Sequence, residues 1–155
     1  MASNSIRSAT KVKLRTLIAA ENLLRADGKA VQVSHGFPGA LLENECIWIG
    51  AVEGPVTVPS LKAGRKRRHD NFTIDIHVVA AIPGKQSSPA LAEARCEDLM
   101  EAVEDVIADD PHLDGLDGLS GGAMVVEIEG PDADGDIEGW VATAVIRVEC
   151  KSSLT

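Results

Sequence analysis

The chain has 155 residues, a length that favours one domain built around one hydrophobic core. Hydrophobic residues make up 45% of it but aromatic residues only 3%, which argues against a reader of single-stranded nucleic acid because such proteins depend on aromatic stacking. The formal net charge is −9, and the three cysteines, an odd number without close pairing, favour a reducing compartment over a disulfide framework. No apolar run approaches the ~20 residues of a membrane span, and residues 1–11 lack the apolar centre of a secretory signal.

The first third of the chain predicts one helix and two strands. Leucine and isoleucine recur at helical spacing over residues 8–27, and Gly28 follows where a left-handed residue would end the helix. Short apolar runs predict strands at residues 30–34 and 46–52. The stretch 53–69 that follows contains Pro59 and Gly64 and has no sustained period, so we expect a long loop that is functional or mobile.

The centre of the chain predicts a long strand followed by a long amphipathic helix. Apolar residues occupy every second position from Phe72 to Ile82, which indicates a strand. Ser88 then supplies an N-cap residue and Pro89 a first helical residue, so a helix is predicted over residues 89–109. One half of this helix is apolar, and we expect it to lie on the apolar face of the strand. The apolar half comprises Ala92, Cys96, Leu99, Met100, Ala102, Val103, Val106 and Ile107.

The last third predicts a glycine- and aspartate-rich loop at residues 111–122, a strand at 124–129, a turn at 131–136 and a strand at 137–150. The whole chain, residues 1–155, is therefore predicted to be a single α+β domain of order αβββαββ, in which two helices pack on a mostly antiparallel sheet of about five strands. A strand of fourteen residues would run ~46 Å, longer than the ~40 Å expected for such a domain. The long strands must bend or project, and pairing with a neighbouring copy is one way to protect a projecting edge.

Two clusters of opposite charge stand out. Residues 89–110 hold eight acids and one arginine, a net charge of −7. Four acids recur at four-residue intervals, which stacks like charges at a cost of ~0.2–0.5 kcal/mol per pair. Each cluster has two interpretations: a solvated surface, or a contact in which the basic run binds phosphate, the acidic helix of a neighbouring copy or the DNA backbone. The acids are Glu93, Glu97, Glu101 and Asp105, and the basic run is Arg65, Lys66, Arg67 and Arg68.

Residue types that carry catalysis or bind metals are scattered along the chain. The histidines and cysteines lack metal-ligand spacing, and no phosphate loop, nucleophile elbow or dinucleotide fingerprint occurs. Residues 132–136 resemble the start of a calcium loop, but Ile137 stands where glycine is needed and Thr143 where glutamate is needed, so an acidic hairpin turn is favoured. We predict no catalytic, cofactor-binding or metal residue. A small enzyme that uses His35 and His77 is the alternative, although His77 fits a half-exposed sheet residue better.

The order of helix, short strands, basic loop, long strand, acidic helix and final hairpin resembles the tail terminator (tail completion) proteins of long-tailed bacteriophages, particularly those that infect actinobacteria. The similarity is one of overall pattern and covers most of the predicted elements. The stretches that carry it are VQVSHGFPG at residues 31–39, ECIWIG at 45–50, DNFTIDIHVV at 70–79, ARCEDLMEAV at 94–103 and GWVATAVIRV at 139–148.

The resemblance implies a structural virion protein that needs no cofactor and is not an enzyme. Such proteins form a hexameric ring on the last ring of the tail tube, stop tube polymerisation and offer a surface for joining the head. The implied partners are other copies of the chain, the tail tube protein, the head–tail connector or stopper protein, and the genomic DNA in the ring lumen, with no membrane. The implied location is the head-proximal end of the virion tail, after assembly in the host cytoplasm. The alternatives are another neck component, such as a head completion or stopper protein, and a DNA-binding module that uses Arg65 to Arg68.

Overall fold

A computed structural model describes residues 6–25, 27–54, 56–57 and 68–154. It contains two helices and a mostly antiparallel sheet, which confirms the predicted α+β class. The elements, in chain order, are α1 (Ile6–Ala19), β1 (Gln32–Ser34), a 3-10 turn (Gly39–Leu41), β2 (Glu45–Glu53), β3 (Val56–Thr57), β4 (Arg68–Pro83), α2 (Pro89–Asp109), β5 (Gly122–Asp136) and β6 (Gly139–Leu154).

The strands lie in the order β1, β2, β4, β6, β5, and β3 adds a two-residue pairing to β4. Among the strands of the described residues, only β1 and β2 pair in parallel. The short β3 makes the order αββββαββ rather than αβββαββ. The predicted loop at 53–69 is therefore wrong at both ends, since β2 extends to Glu53 and β4 begins at Arg68. The ladder with β4 extends β2, and the ladder with β6 extends β4, beyond the residues in which alternation of apolar and polar side chains predicts a strand.

The core lies between one face of the sheet and the two helices. The predicted bounds of α2 are confirmed, and its first turn is capped because the Ser88 Oγ accepts a hydrogen bond from the Leu91 amide at 3.1 Å. Alternate residues of β4 and β6 point toward this helix because a strand has a period of two. The largest side chains that these two strands and α2 bury almost completely are Phe72, Ile74, Ile76, Ile146, Leu99 and Ile107.

Helix α1 ends earlier than the sequence predicts. It stops at Ala19, and Asn22 has a left-handed φ of 53°, whereas Gly28, with a φ of 83°, lies beyond the end of the helix. Asparagine tolerates this conformation better than most residues, so it can end a helix in place of glycine. The chain then folds back through an antiparallel bridge between Leu24 and Ala30, and Gly28 lies within that turn.

The β5–β6 hairpin also differs from the prediction. Residues 131–136 belong to β5, and the turn itself is only residues 137–138. Two bulges shift the register of β5, one between Val125 and Glu127 and one between Glu129 and Asp132. Each bulge inserts unpaired residues and breaks the period of two. Because alternation is interrupted there, the sequence pattern did not predict the second half of the strand.

The hairpin tip does not project beyond β4. The Gly84 amide, in the turn after β4, donates a hydrogen bond of 2.7 Å to the Glu138 carbonyl at the tip. The long strands project at their other end instead. The Ala123 amide donates to the Pro111 carbonyl just after α2, and Ala123 lies opposite Cys150, which pairs with Phe72. Residues 68–71 of β4 extend about 13 Å beyond Phe72, at ~3.3 Å per residue, and so beyond the C-terminus of α2.

Candidate functional site

One face of the sheet packs on the helices, and the other face carries no helix among the residues that the structure describes. We call this second surface the open face. It is formed by the alternate residues of β2, β4, β6 and β5 that point away from the core, as the cross-strand register requires. Its central residues are Cys46, Trp48, Asp75, His77, Val79, Thr143, Val145, Arg147, Glu127 and Glu129.

An aromatic stack occupies the β1–β2 side of the open face. The rings of Trp48 and His77 are parallel within 6°, with centroids 4.8 Å apart, and Phe37 meets the Trp48 ring edge-on at 5.2 Å. Gly50 makes room for this arrangement, because a Cβ atom there would lie 2.8 Å from the His77 ring. Phe37 belongs to the loop between β1 and β2 and is 64% exposed, so the stack presents an aromatic edge to solvent.

His77 lies on the open face as a half-buried sheet residue. Burial lowers the pKa of its imidazole, Asp75 acts in the opposite direction, and Arg147 adds to the lowering. The ring is therefore held neutral at neutral pH. His35, the other histidine considered for catalysis, follows β1, and β2 separates that strand from β4.

Arg147 lies at the centre of a carboxylate cluster beside the stack. Its guanidinium donates to Asp75 on β4 at 3.1 Å, and to Glu127 and Glu129 on β5 at 2.5 and 3.1 Å. The hydrogen bonds to the two glutamates raise the pKa of Arg147. One cation faces three carboxylates, so the cluster leaves this part of the open face negatively charged.

Burial raises the pKa of each thiol, Cys46, Cys96 and Cys150, to about 12, so all three stay protonated. Within the described ranges, no group of three or more His, Cys, Asp or Glu side chains is placed to hold a metal ion. The side chains of the open face offer ring surfaces and charges to a partner instead.

The predicted acidic residues form a line along the side of α2 that faces away from the sheet. Glu97, Glu101 and Asp105 are exposed and Glu93 is half-buried, while the residues between them that pack on the sheet are buried. We call this line the acidic stripe. Its spacing of four residues places each carboxylate nearly one turn above the next.

The basic run is placed only in part. Arg65, Lys66 and Arg67 lie outside the described residues, and Arg68 is the first residue of β4, with its backbone opposite Leu154. Thr57 pairs with His69, at the end of the sheet where β4 begins. This is the end that extends past the C-terminus of α2.

Two features of the site were not predicted from the sequence. The Arg147 cluster joins residues 72 positions apart, and the stack brings the loop residue Phe37 onto a strand. The sequence did contain one indication of the Arg147 cluster, because Asp75 and Arg147 both occupy outward-facing positions of predicted strands. Linking them required the register of β4 against β6, which the sequence alone did not provide.

No model of a protein family matches this chain, and no curated protein matches it. No helix in the described part of the chain is both long and apolar enough to cross a membrane. The surfaces that can carry a function are therefore the open face, the acidic stripe and the end of the sheet where β4 begins at Arg68.

Proposed function

We propose that the protein is a bacteriophage tail terminator, which caps the tail tube as a hexameric ring and offers its outer surface to the head connector or stopper. The observation that carries the proposal is the open face, a sheet surface that combines exposed aromatic edges with an acidic cluster. Aromatic residues surrounded by polar groups are typical of protein–protein interfaces. The resemblance in element order gives the proposal its specific form.

A closed ring needs two different, complementary surfaces on every copy, because each subunit meets one neighbour with each. The acidic stripe on α2 and the basic run Arg65 to Arg68 are complementary in charge and belong to separate parts of the chain. In the proposed ring, the basic run of one copy binds the acidic stripe of the next. This contact relieves the repulsion between the stacked carboxylates.

A charge-swap experiment tests this contact. Reversal of the stripe by Glu97→Lys, Glu101→Lys and Asp105→Lys should prevent ring formation, as should reversal of Arg65 to Arg68 to Glu, because each creates like-charge contacts. A chain that carries both reversals should form rings again. Lys29→Glu with Lys85→Glu is a control that changes charge away from both clusters.

The same variants separate the proposal from a DNA-binding module. If the basic run faces DNA instead of a neighbour, its reversal should leave rings intact and abolish salt-dependent DNA binding, because phosphate contacts release counterions. Rings that survive both reversals would reject the charge contact.

Electron microscopy of assembled tails tests the location. A tail terminator should appear as a ring at the head-proximal end, including on tails purified without heads. A head completion or stopper protein should stay with the heads when heads and tails are separated. A position anywhere else in the particle would reject the assignment.

A further inference from the structure

We propose that the open face is the seat for helix α1 of a second copy of this chain, so that copies associate front to back. This inference rests on the proposed function, because the contact it names joins neighbouring copies in the proposed ring. It uses surfaces other than the acidic stripe and the basic run, and it is tested separately from them.

The exposed side of α1 is basic. The helix contains four cations and no acidic residue, and it buries Ile6, Leu14 and Ile18 against its own core. Two of the cations, Lys11 and Arg15, make no ion pair within the part of the chain that is described, whereas Lys13 contacts Asp114 at 3.5 Å. A negatively charged partner could form ion pairs with these two cations.

The exposed side of α1 carries a ridge. Val12, which is 53% exposed, and Thr16 form a ridge with a groove on either side. One groove, of about 390 Å³, lies toward Leu116, and the other, of about 560 Å³, lies toward β1. The ridge therefore offers an apolar residue flanked by cations.

The open face has the complementary character. The aromatic stack offers apolar surface, and the Arg147 cluster has an excess of carboxylates. Further along β5, Asp132 and Asp134 pair with Thr143 and Val141 and make no ion pair among the described residues. The seat is thus aromatic on one side and negatively charged on the other.

Helix α1 is long enough to cross the open face. The fourteen residues of α1 give a helix about 21 Å long at ~1.5 Å per residue. The four strands β2, β4, β6 and β5 span about 14 Å between the outermost backbones at ~4.8 Å per strand. A helix laid across the strands reaches from the aromatic stack to the acids of β5.

The acidic stripe of α2 and DNA fit this seat less well than α1. Both are negatively charged and would meet the carboxylates of the open face. Docking α1 of one copy on the open face of another uses two different surfaces per copy. Such a contact passes from copy to copy and closes when the rotation permits, as a ring requires.

Two variants test the contact. The ridge variant, Lys11→Glu with Arg15→Glu, reverses the charge of α1, and the face variant, Phe37→Ser with Asp132→Asn, removes an exposed aromatic edge and a carboxylate. Sedimentation velocity over a concentration series at low salt should show self-association of the wild-type chain. Each variant should associate roughly tenfold more weakly or worse, with an unchanged melting temperature. Lys29→Glu with Lys85→Glu, a reversal of equal charge outside both surfaces, should associate like the wild type.

Mixing the variants gives the sharpest result. The face variant keeps an intact α1 and the ridge variant keeps an intact open face, so the equimolar mixture should associate more strongly than either variant alone and less strongly than the wild type. Wild-type association should also weaken as salt is added. A mixture that does not pair, variants that associate like the wild type, or a wild-type chain that stays single at about 100 µM would overturn the inference.

The inference and the proposed function fail in different ways. Front-to-back association of a chain that lies elsewhere in the particle would reject only the terminator assignment. Rings that form normally at the tail end from both variants would reject only the α1 contact.

Discussion

On its helix-covered face the sheet presents alkyl side chains to α2, whereas on its open face the same strands present an aromatic stack and an arginine among carboxylates. Ile76 and His77 illustrate the contrast: they are adjacent in β4, yet the first is fully buried and the second is half-buried against Trp48. The covered face gains its stability inside the chain. The open face keeps polar and aromatic groups that gain more from a partner, which is why we assign function to it.

The largest effect is expected on the covered face. Ile76→Ala removes a side chain that is 0% exposed and should lower the free energy of unfolding by ~2–5 kcal/mol, because the core cannot fully close the cavity. Thr143→Ala, an exposed position of the open face, should change it by less than ~0.5 kcal/mol. Chemical denaturation of the isolated chains measures both. Equal losses would contradict the assignment of the two faces.

A smaller effect is expected at the turn that places α2 on the covered face. Ser88→Ala removes the cap on the Leu91 amide and should cost ~1 kcal/mol. Its neighbour is a matched control, since the Ser87 hydroxyl is buried and has no hydrogen-bond partner among the residues that the structure describes. Ser87→Ala should be neutral or slightly stabilising, because it removes an unsatisfied polar group. If both replacements destabilise the protein equally, the loss in Ser88→Ala does not arise from the helix cap.

On the open face, Arg147→Met should lower the melting temperature by less than the core replacement does. The loss arises because Asp75, Glu127 and Glu129 would repel one another without the guanidinium between them. Added salt should reduce the loss by screening the repulsion. The triple variant with Glu127→Gln and Glu129→Gln should recover much of the stability. A loss independent of both salt and the glutamates would show that Arg147 contributes through packing alone.

The smallest effect concerns pH. The pKa of His77 is lower in the folded chain than its ordinary value of 6.5, so the unfolded chain binds the proton first as pH falls. The stability that His77 contributes is complete above pH 6.5 and is lost as pH falls through the lower, folded pKa. His77→Gln should flatten the decline in melting temperature below pH 6.5, with His112→Gln as the control. An unchanged slope in His77→Gln would contradict the burial of this imidazole.

The covered face was largely predictable from the sequence, because its signals are local. The alternation from Phe72 to Ile82 and the Ser88–Pro89 start of α2 each lie within one element, and both predictions are confirmed. The end of α1 was not, because the positive φ predicted at Gly28 is present, at 83°, but belongs to the turn closed by the bridge between Leu24 and Ala30, after the helix has ended at Ala19. Tertiary contacts override local propensity there.

The open face was less predictable, because its features depend on register. Two bulges in β5 determine which of its acids share a face with Arg147, and neither bulge has a unique sequence signal. The position of Phe37 over Trp48 likewise depends on how the loop after β1 returns along the sheet edge. The charge clusters were visible in the sequence, but the aromatic stack on the open face was not.

The length of tail tubes assembled with and without this protein is the decisive measurement for a tail terminator. Tube protein that polymerises alone should give long tubes of variable length. Addition of the purified wild-type chain should stop growth and leave a ring at one end of each tube, while the ridge variant, Lys11→Glu with Arg15→Glu, should stop growth poorly. Tubes of the same length in the presence and absence of the chain, with no ring at either end, would contradict the account.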